Sequence, residues 1–66
     1  RQSVVTTRAI RAGETVARSD LSVRRPGTGI AAEHLDSLVG TVARRDMPAG
    51  AMPSAGDFLR RATTAA

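Results

Sequence analysis

The chain has 66 residues, a net charge of +4, ten Arg against six acidic side chains, and neither Lys nor Cys. That length makes one domain at the lower limit of independent folding, and the missing cysteine excludes a disulfide framework and a thiolate metal site. No apolar run reaches the length of a membrane span or a signal peptide, so no membrane partner is expected and, with no redox constraint, a cytoplasmic location is. A first residue of Arg rather than Met points to a fragment of something longer.

Phe58 is the only aromatic residue, so the core must be aliphatic. Val4, Val5, Ile10, Val16, Leu21, Val23, Ile30, Leu35, Leu38, Val39, Val42, Met47 and Met52 are its candidates. The arginines are scattered, and no rings lie between them on which bases could stack. No helix long enough to fill a major groove is evident. Nucleic acid is therefore not expected as a partner, and the charge reads as surface solubility.

In chain order, Val4–Arg8 reads as a strand. Residues 10–21, "IRAGETVARSDL", then hold a turn at Gly13, where positive φ is open to glycine, and a short extended piece at Thr15–Val16. Asp20, with Ser19 beside it, is a natural start for one turn of 3₁₀ or α helix, because its carboxylate can accept nearby backbone N–H groups. Leu21–Arg25 is the next strand. Pro26-Gly27-Thr28-Gly29 is a loop: Pro fixes φ and pushes Arg25 toward an extended conformation, and Gly27 favours a turn. Apolar residues 35, 38 and 39 within Ala31–Val39 predict one or two helical turns, stopped by Gly40. Thr41–Arg45 resumes a strand. From Leu59 the chain has little left to bury, which divides it into a domain over 1–58 and a flexible tail over 59–66.

Residues 47–58, "MPAGAMPSAGDF", repeat the pattern of residues 10–21 at a shift of 37 positions. Ile10 matches Met47, Gly13 matches Gly50, Asp20 matches Asp57 and Leu21 matches Phe58. Upstream, Val5 matches Val42 and Arg8 matches Arg45. Two such units are too few for a solenoid. They suit a mostly β fold with internal pseudo-twofold symmetry, in which each half covers the apolar face of the other.

The residue inventory holds no catalytic constellation. His34 is the only His and reads as a surface residue; one imidazole cannot build a zinc or two-His-carboxylate site. No pair of carboxylates has a spacing that argues for acid–base work. Ser3, Ser19, Ser22, Ser37 and Ser54 have no base to activate them. "PGTGI" matches no phosphate loop or dinucleotide fingerprint. No catalytic and no metal-ligating residue is assigned, and a binding, positioning or structural module is expected. Arg44-Arg45-Asp46 reads as a core-edge ion pair, with partner contact as the alternative. Arg25 stands out. Next to Pro26 it would project a guanidinium from a stiffened backbone, suited to a carboxylate or a sugar oxygen. On the residues alone a solvated surface Arg is the simpler reading.

The stretch "SVVTTRAIRAGETVARSDLSVRRPGTGIAAEHLDSLVGTVARRDMPAG" resembles the SAF, or antifreeze-protein-like, domain. It is most similar to the C-terminal domain of bacterial sialic acid (N-acetylneuraminate) synthases. "AIRAGETVARSDL" is shared by many SAF domains, while "RRPGTGI" followed by "LDSLVGTVARRDMPAG" is specific to the synthase branch. The resemblance implies a β-clip of short strands and 3₁₀ turns, also the fold of type III antifreeze proteins. It implies an enzyme that condenses phosphoenolpyruvate with N-acetylmannosamine or a related sugar. A divalent metal, Mn or Mg, would assist in a TIM barrel that is not in this chain; no cofactor is implied in this domain. The domain would cap the barrel of the other subunit in a swapped homodimer and supply Arg25 to the sugar substrate. Pro26, Gly27 and Gly29 would set the loop. No activity is expected of the domain alone. Two other readings share the fold. An ice-binding protein needs a flat, uncharged face, against which Arg8, Arg11, Glu14 and Arg18 count. An interaction module of pilus or flagellar assembly proteins would have no use for the "RRPGTG" loop.

Overall fold

The computed structural model describes residues 1–60. Two small antiparallel ladders carry the chain, joined by turns and single helical turns. Strand β1 (Ser3–Thr6) pairs with β2 (Leu21–Arg24), and β3 (Val42–Ala43) pairs with β4 (Phe58–Leu59). Single 3₁₀ turns at Arg18–Asp20 and Ala55–Asp57 lead into β2 and β4. A third, Ala32–His34, runs into the one-turn helix α1 (Leu35–Leu38). Gly40, at φ +87°, takes the chain out of that helix as the sequence predicts.

The repeat in the sequence is a repeat in space. Val5 faces Ser22 and Thr6 faces Leu21; 37 positions later Val42 faces Leu59 and Ala43 faces Phe58. The two halves exchange backbone hydrogen bonds in matched pairs. Ile10 N–H donates to the Met47 carbonyl at 2.8 Å, and Met47 N–H returns the bond to Ile10 at 2.7 Å. Gly13 N–H donates to Ala43 at 2.8 Å, as Gly50 N–H does to Thr6 at 2.9 Å. Ala43 N–H donates to Glu14 and Thr6 N–H to Ala51, each at 2.9 Å. Gly13 and Gly50 sit at the third position of tight turns with φ +92° and +77°, a region that side chains disfavour. At one place the symmetry breaks. Val16 N–H donates to the Thr41 carbonyl, whereas the matching residue Pro53 has no N–H to give.

The core lies between the halves. Val4, Ile10, Val16, Leu21, Leu38, Ala43, Met47 and Phe58 form it, with Ile30, Leu35 and Ala51 packed on its edge. Val39 and Met52, expected inside, are exposed. Strands are shorter than the sequence implies. Thr7 and Arg8 lie outside β1: Thr7 N–H still donates to the Asp20 carbonyl at 2.8 Å, and Arg8 donates through its side chain to the Asp20 carboxylate. Leu59 belongs to β4, although the sequence places it at the start of a tail; residues 61–66 of that expected tail lie outside the described residues.

Asp20 and Asp57 close their turns rather than start them. Each reaches back: Asp20 Oδ2 accepts the Ala17 N–H at 2.8 Å, and Asp57 Oδ2 accepts the Ser54 N–H at 2.9 Å. Each is also gripped by the Arg twelve residues before it, Arg8 on Asp20 at 2.8 Å and Arg45 on Asp57 at 2.7 Å. Arg45 thus pairs with Asp57 and not with its neighbour Asp46, whose carboxylate accepts the Ala12 N–H from the other half at 2.8 Å. Asp20 is nearly out of water, its side chain 7% exposed against 46% for Arg8.

The guanidinium partner, and then the backbone N–H, hold both aspartates below the usual carboxylate range. A carboxylate with a depressed folded pKa binds its proton more readily when unfolded. It therefore stabilises the fold above the unfolded value and loses that contribution as pH falls through the folded one. Thermal melts from about pH 7 down to about pH 2 should show wild-type stability dropping below about pH 4. In the Asp20→Asn, Asp57→Asn double variant the drop should be shallower. An unchanged acid slope would remove these pairs from the account.

Candidate functional site

The loop after β2 is built by close approach rather than by side-chain packing. A Cβ on Gly27 would collide with Ser3 Oγ and lie 2.5 Å from Ser3 Cβ and 2.6 Å from Ser3 N. A Cβ on Gly29 would lie 2.8 Å from the Pro53 carbonyl oxygen and 3.0 Å from Met52 Cγ. Only glycine at these two positions lets the loop lie flat on the start of β1 and on the 52–53 segment. Backbone bonds then tie its far end down. The Ile30 carbonyl accepts the Val4 N–H at 2.9 Å, and the Gln2 carbonyl accepts the Ala32 N–H at 3.2 Å. Arg1 Nη2 donates to the Gly29 carbonyl at 2.7 Å. The Arg25–Pro26 peptide is cis.

Arg25 enters this loop from the end of β2 and is exposed. Among the described residues it makes no hydrogen bond and no ion pair. The structure therefore brings Arg25, Pro26, Gly27 and Gly29 together as one rim, with the guanidinium outside and the two glycines inside. Arg24, the last residue of β2, faces Ser3 across the ladder and is also exposed.

Ser3 is the residue that sequence reasoning missed. It is fully buried, and its Oγ has no hydrogen-bond partner. As a serine without a base it offers no chemistry. As the floor under Gly27 it fixes the height of the loop. Nothing local in the sequence joins residues 3 and 27; the one signal is that a Pro-Gly step allows another chain to come close.

The remaining candidates stay apart from the rim. His34 is exposed beside α1, and its carbonyl accepts Ser37 Oγ at 2.6 Å. Arg18 pairs with Asp36 on the surface. Among the described residues, no three His, Asp or Glu side chains gather as a metal site would require. A family model described as the SAF domain matches residues 1–59. No curated protein matches the chain.

Two substitutions test how the loop is held. Gly27→Ala should cost about 1–3 kcal/mol, the usual range for forcing a carbon into filled space. Adding Ser3→Ala should not restore that loss, because Ser3's own Cβ and N stay in the way. Ser3→Ala alone removes an unpartnered buried hydroxyl and should leave stability unchanged or raise it by about 1 kcal/mol. Chemical denaturation of the three variants measures all of this. A Gly27→Ala protein as stable as wild type would mean that the loop does not rest on Ser3.

Proposed function

The chain belongs to the SAF domain family, and on that premise we propose that it is the substrate-capping domain of a sialic acid synthase-type enzyme. In this reading it covers the TIM barrel of a partner subunit in a swapped homodimer. The barrel lies outside this chain, and so does the Mn or Mg ion that assists there. Phosphoenolpyruvate and N-acetylmannosamine, or a related sugar, condense in the barrel. This chain contributes no bond-making group. It closes the pocket and offers Arg25 to an oxygen of the acceptor sugar.

One observation carries the proposal: Arg25 is exposed and unpartnered among the described residues, on a backbone locked by Gly27 against Ser3. A guanidinium held this way keeps its five N–H donors for a ligand and loses little backbone freedom on binding it. Hydrogen bonds from it would orient the sugar so that its aldehyde faces the attacking enol carbon. Positioning of that kind lowers the barrier without any chemistry by the Arg itself. The ice-binding alternative fits less well, because Arg11 and Arg18 are exposed on the stretch that would have to form a flat, weakly hydrated face. The assembly-module alternative leaves the Arg25 rim without a task.

Arg25→Ala in the full-length enzyme should fold normally and lose about ten- to a hundredfold in kcat/KM for the sugar, the cost of a charge-assisted hydrogen bond. Arg25→Lys should recover only part of it, since an ammonium lacks the planar fork. Wild-type kinetics in Arg25→Ala would remove the residue from the site.

A further inference from the structure

The six carboxylates of the chain are unevenly spent. Asp20 and Glu14 hold Arg8, Asp57 holds Arg45, and Asp36 holds Arg18. Asp46 is taken by a backbone N–H, and Glu33, which follows the far end of the loop, forms no ion pair among the described residues. Among the described residues, the positive excess is therefore carried by guanidiniums that no carboxylate pairs, and these are not evenly spread. Arg24 faces Ser3, Arg25 follows it, and Arg1 reaches the same loop through the Gly29 carbonyl. No acidic residue occurs in residues 1–13 or 21–32, and the residues packed under the loop, Ser3, Met52 and Pro53, are uncharged.

We propose that this rim, with Arg1, Arg24 and Arg25, is a docking edge for a carboxylate-rich surface of a protein partner. The inference goes beyond the sugar clamp. That role needs Arg25 alone inside a pocket; this one needs three guanidiniums acting together on a surface. Arginine forks match carboxylates in a two-point geometry, and the backbone that bears them is already fixed, so little ordering is required on contact. A cluster of one sign also speeds encounter with a surface of the other. The same charges would attract nucleic acid, but the single aromatic ring, Phe58, is buried in the core and offers no base a stacking face. The only α-helix among the described residues has four residues, too short to enter a major groove.

The experiment is a backbone-amide NMR titration of the 66-residue chain with an oligoglutamate peptide at low ionic strength. Shifts should concentrate on residues 1–4 and 24–30. Arg24→Gln with Arg25→Gln should weaken binding at least about fivefold, whereas Arg11→Gln with Arg44→Gln, which removes the same charge elsewhere, should change it less than about twofold. Equal weakening by the two pairs, or shifts spread over all exposed arginines, would overturn the proposal in favour of a plain net-charge effect. Tighter binding of short duplex DNA to the same residues would overturn the choice of partner. Arg1→Gln with Arg24→Gln, which spares Arg25, separates the docking edge from the clamp: it should weaken peptide binding at least about threefold and leave the sugar kinetics of the full-length enzyme unchanged, and unweakened binding would overturn the proposal.

Discussion

Two backbone hydrogen bonds sit at the centre of this domain: Ile10 and Met47 each donate to the other's carbonyl. They lie where the two halves of the repeat meet, and further exchanged bonds fall in matched pairs around them, at Gly13 and Gly50 and at Ala43 and Thr6. Each half thus supplies donors and acceptors that the other half needs. An unpaired backbone group at these buried places would cost about 1–3 kcal/mol, a large share of the net stability of so small a domain. Each half closes its own two-stranded ladder, but the core is made by the two together and neither half has a complete one by itself. The clasp is the condition under which so short and so ring-poor a chain has an interior at all.

The loop that bears Arg25 inherits its position from that clasp. Gly27 rests on Ser3 at the start of β1, and Gly29 rests on Met52 and Pro53 in the opposite half. The loop therefore bridges the two halves, and its height over the surface is set by both. The broken symmetry matters here. Where the first half has Val16, bonded through its N–H, the second has Pro53, buried and without one. The carbonyl of Pro53 then lies under Gly29. A rim fixed from two sides holds the Arg25 backbone in one place, which both the sugar clamp and the docking edge require.

Much of this was legible in the residues because the repeat carries its own physics. Gly13 and Gly50 marked the turns, and the core pair Ile10 and Met47 appeared at equivalent places. Arg8 with Asp20 and Arg45 with Asp57 recurred at the same spacing, and the structure joins them as ion pairs. The direction of the Asp turns was not legible: an Asp before an apolar residue can open a turn or close one, and only the backbone distinguishes them. Val39 follows the last residue of a one-turn helix and Met52 lies in an irregular segment before the last 3₁₀ turn; at neither place is there enough periodicity to tell a buried position from an exposed one, and both are exposed. The contact of Ser3 with Gly27 is tertiary and leaves no local mark. Arg25 was visible as a residue before Pro26, but its lack of an internal partner is a property of the fold.

Native-state hydrogen exchange tests the clasp most directly. If the halves stand only by leaning on each other, the amides of Ile10, Gly13, Met47 and Gly50 should share one opening free energy, equal to that of global unfolding. Amides in one half that exchange far faster than their mates 37 positions away would show a half that opens alone, and that would contradict the account.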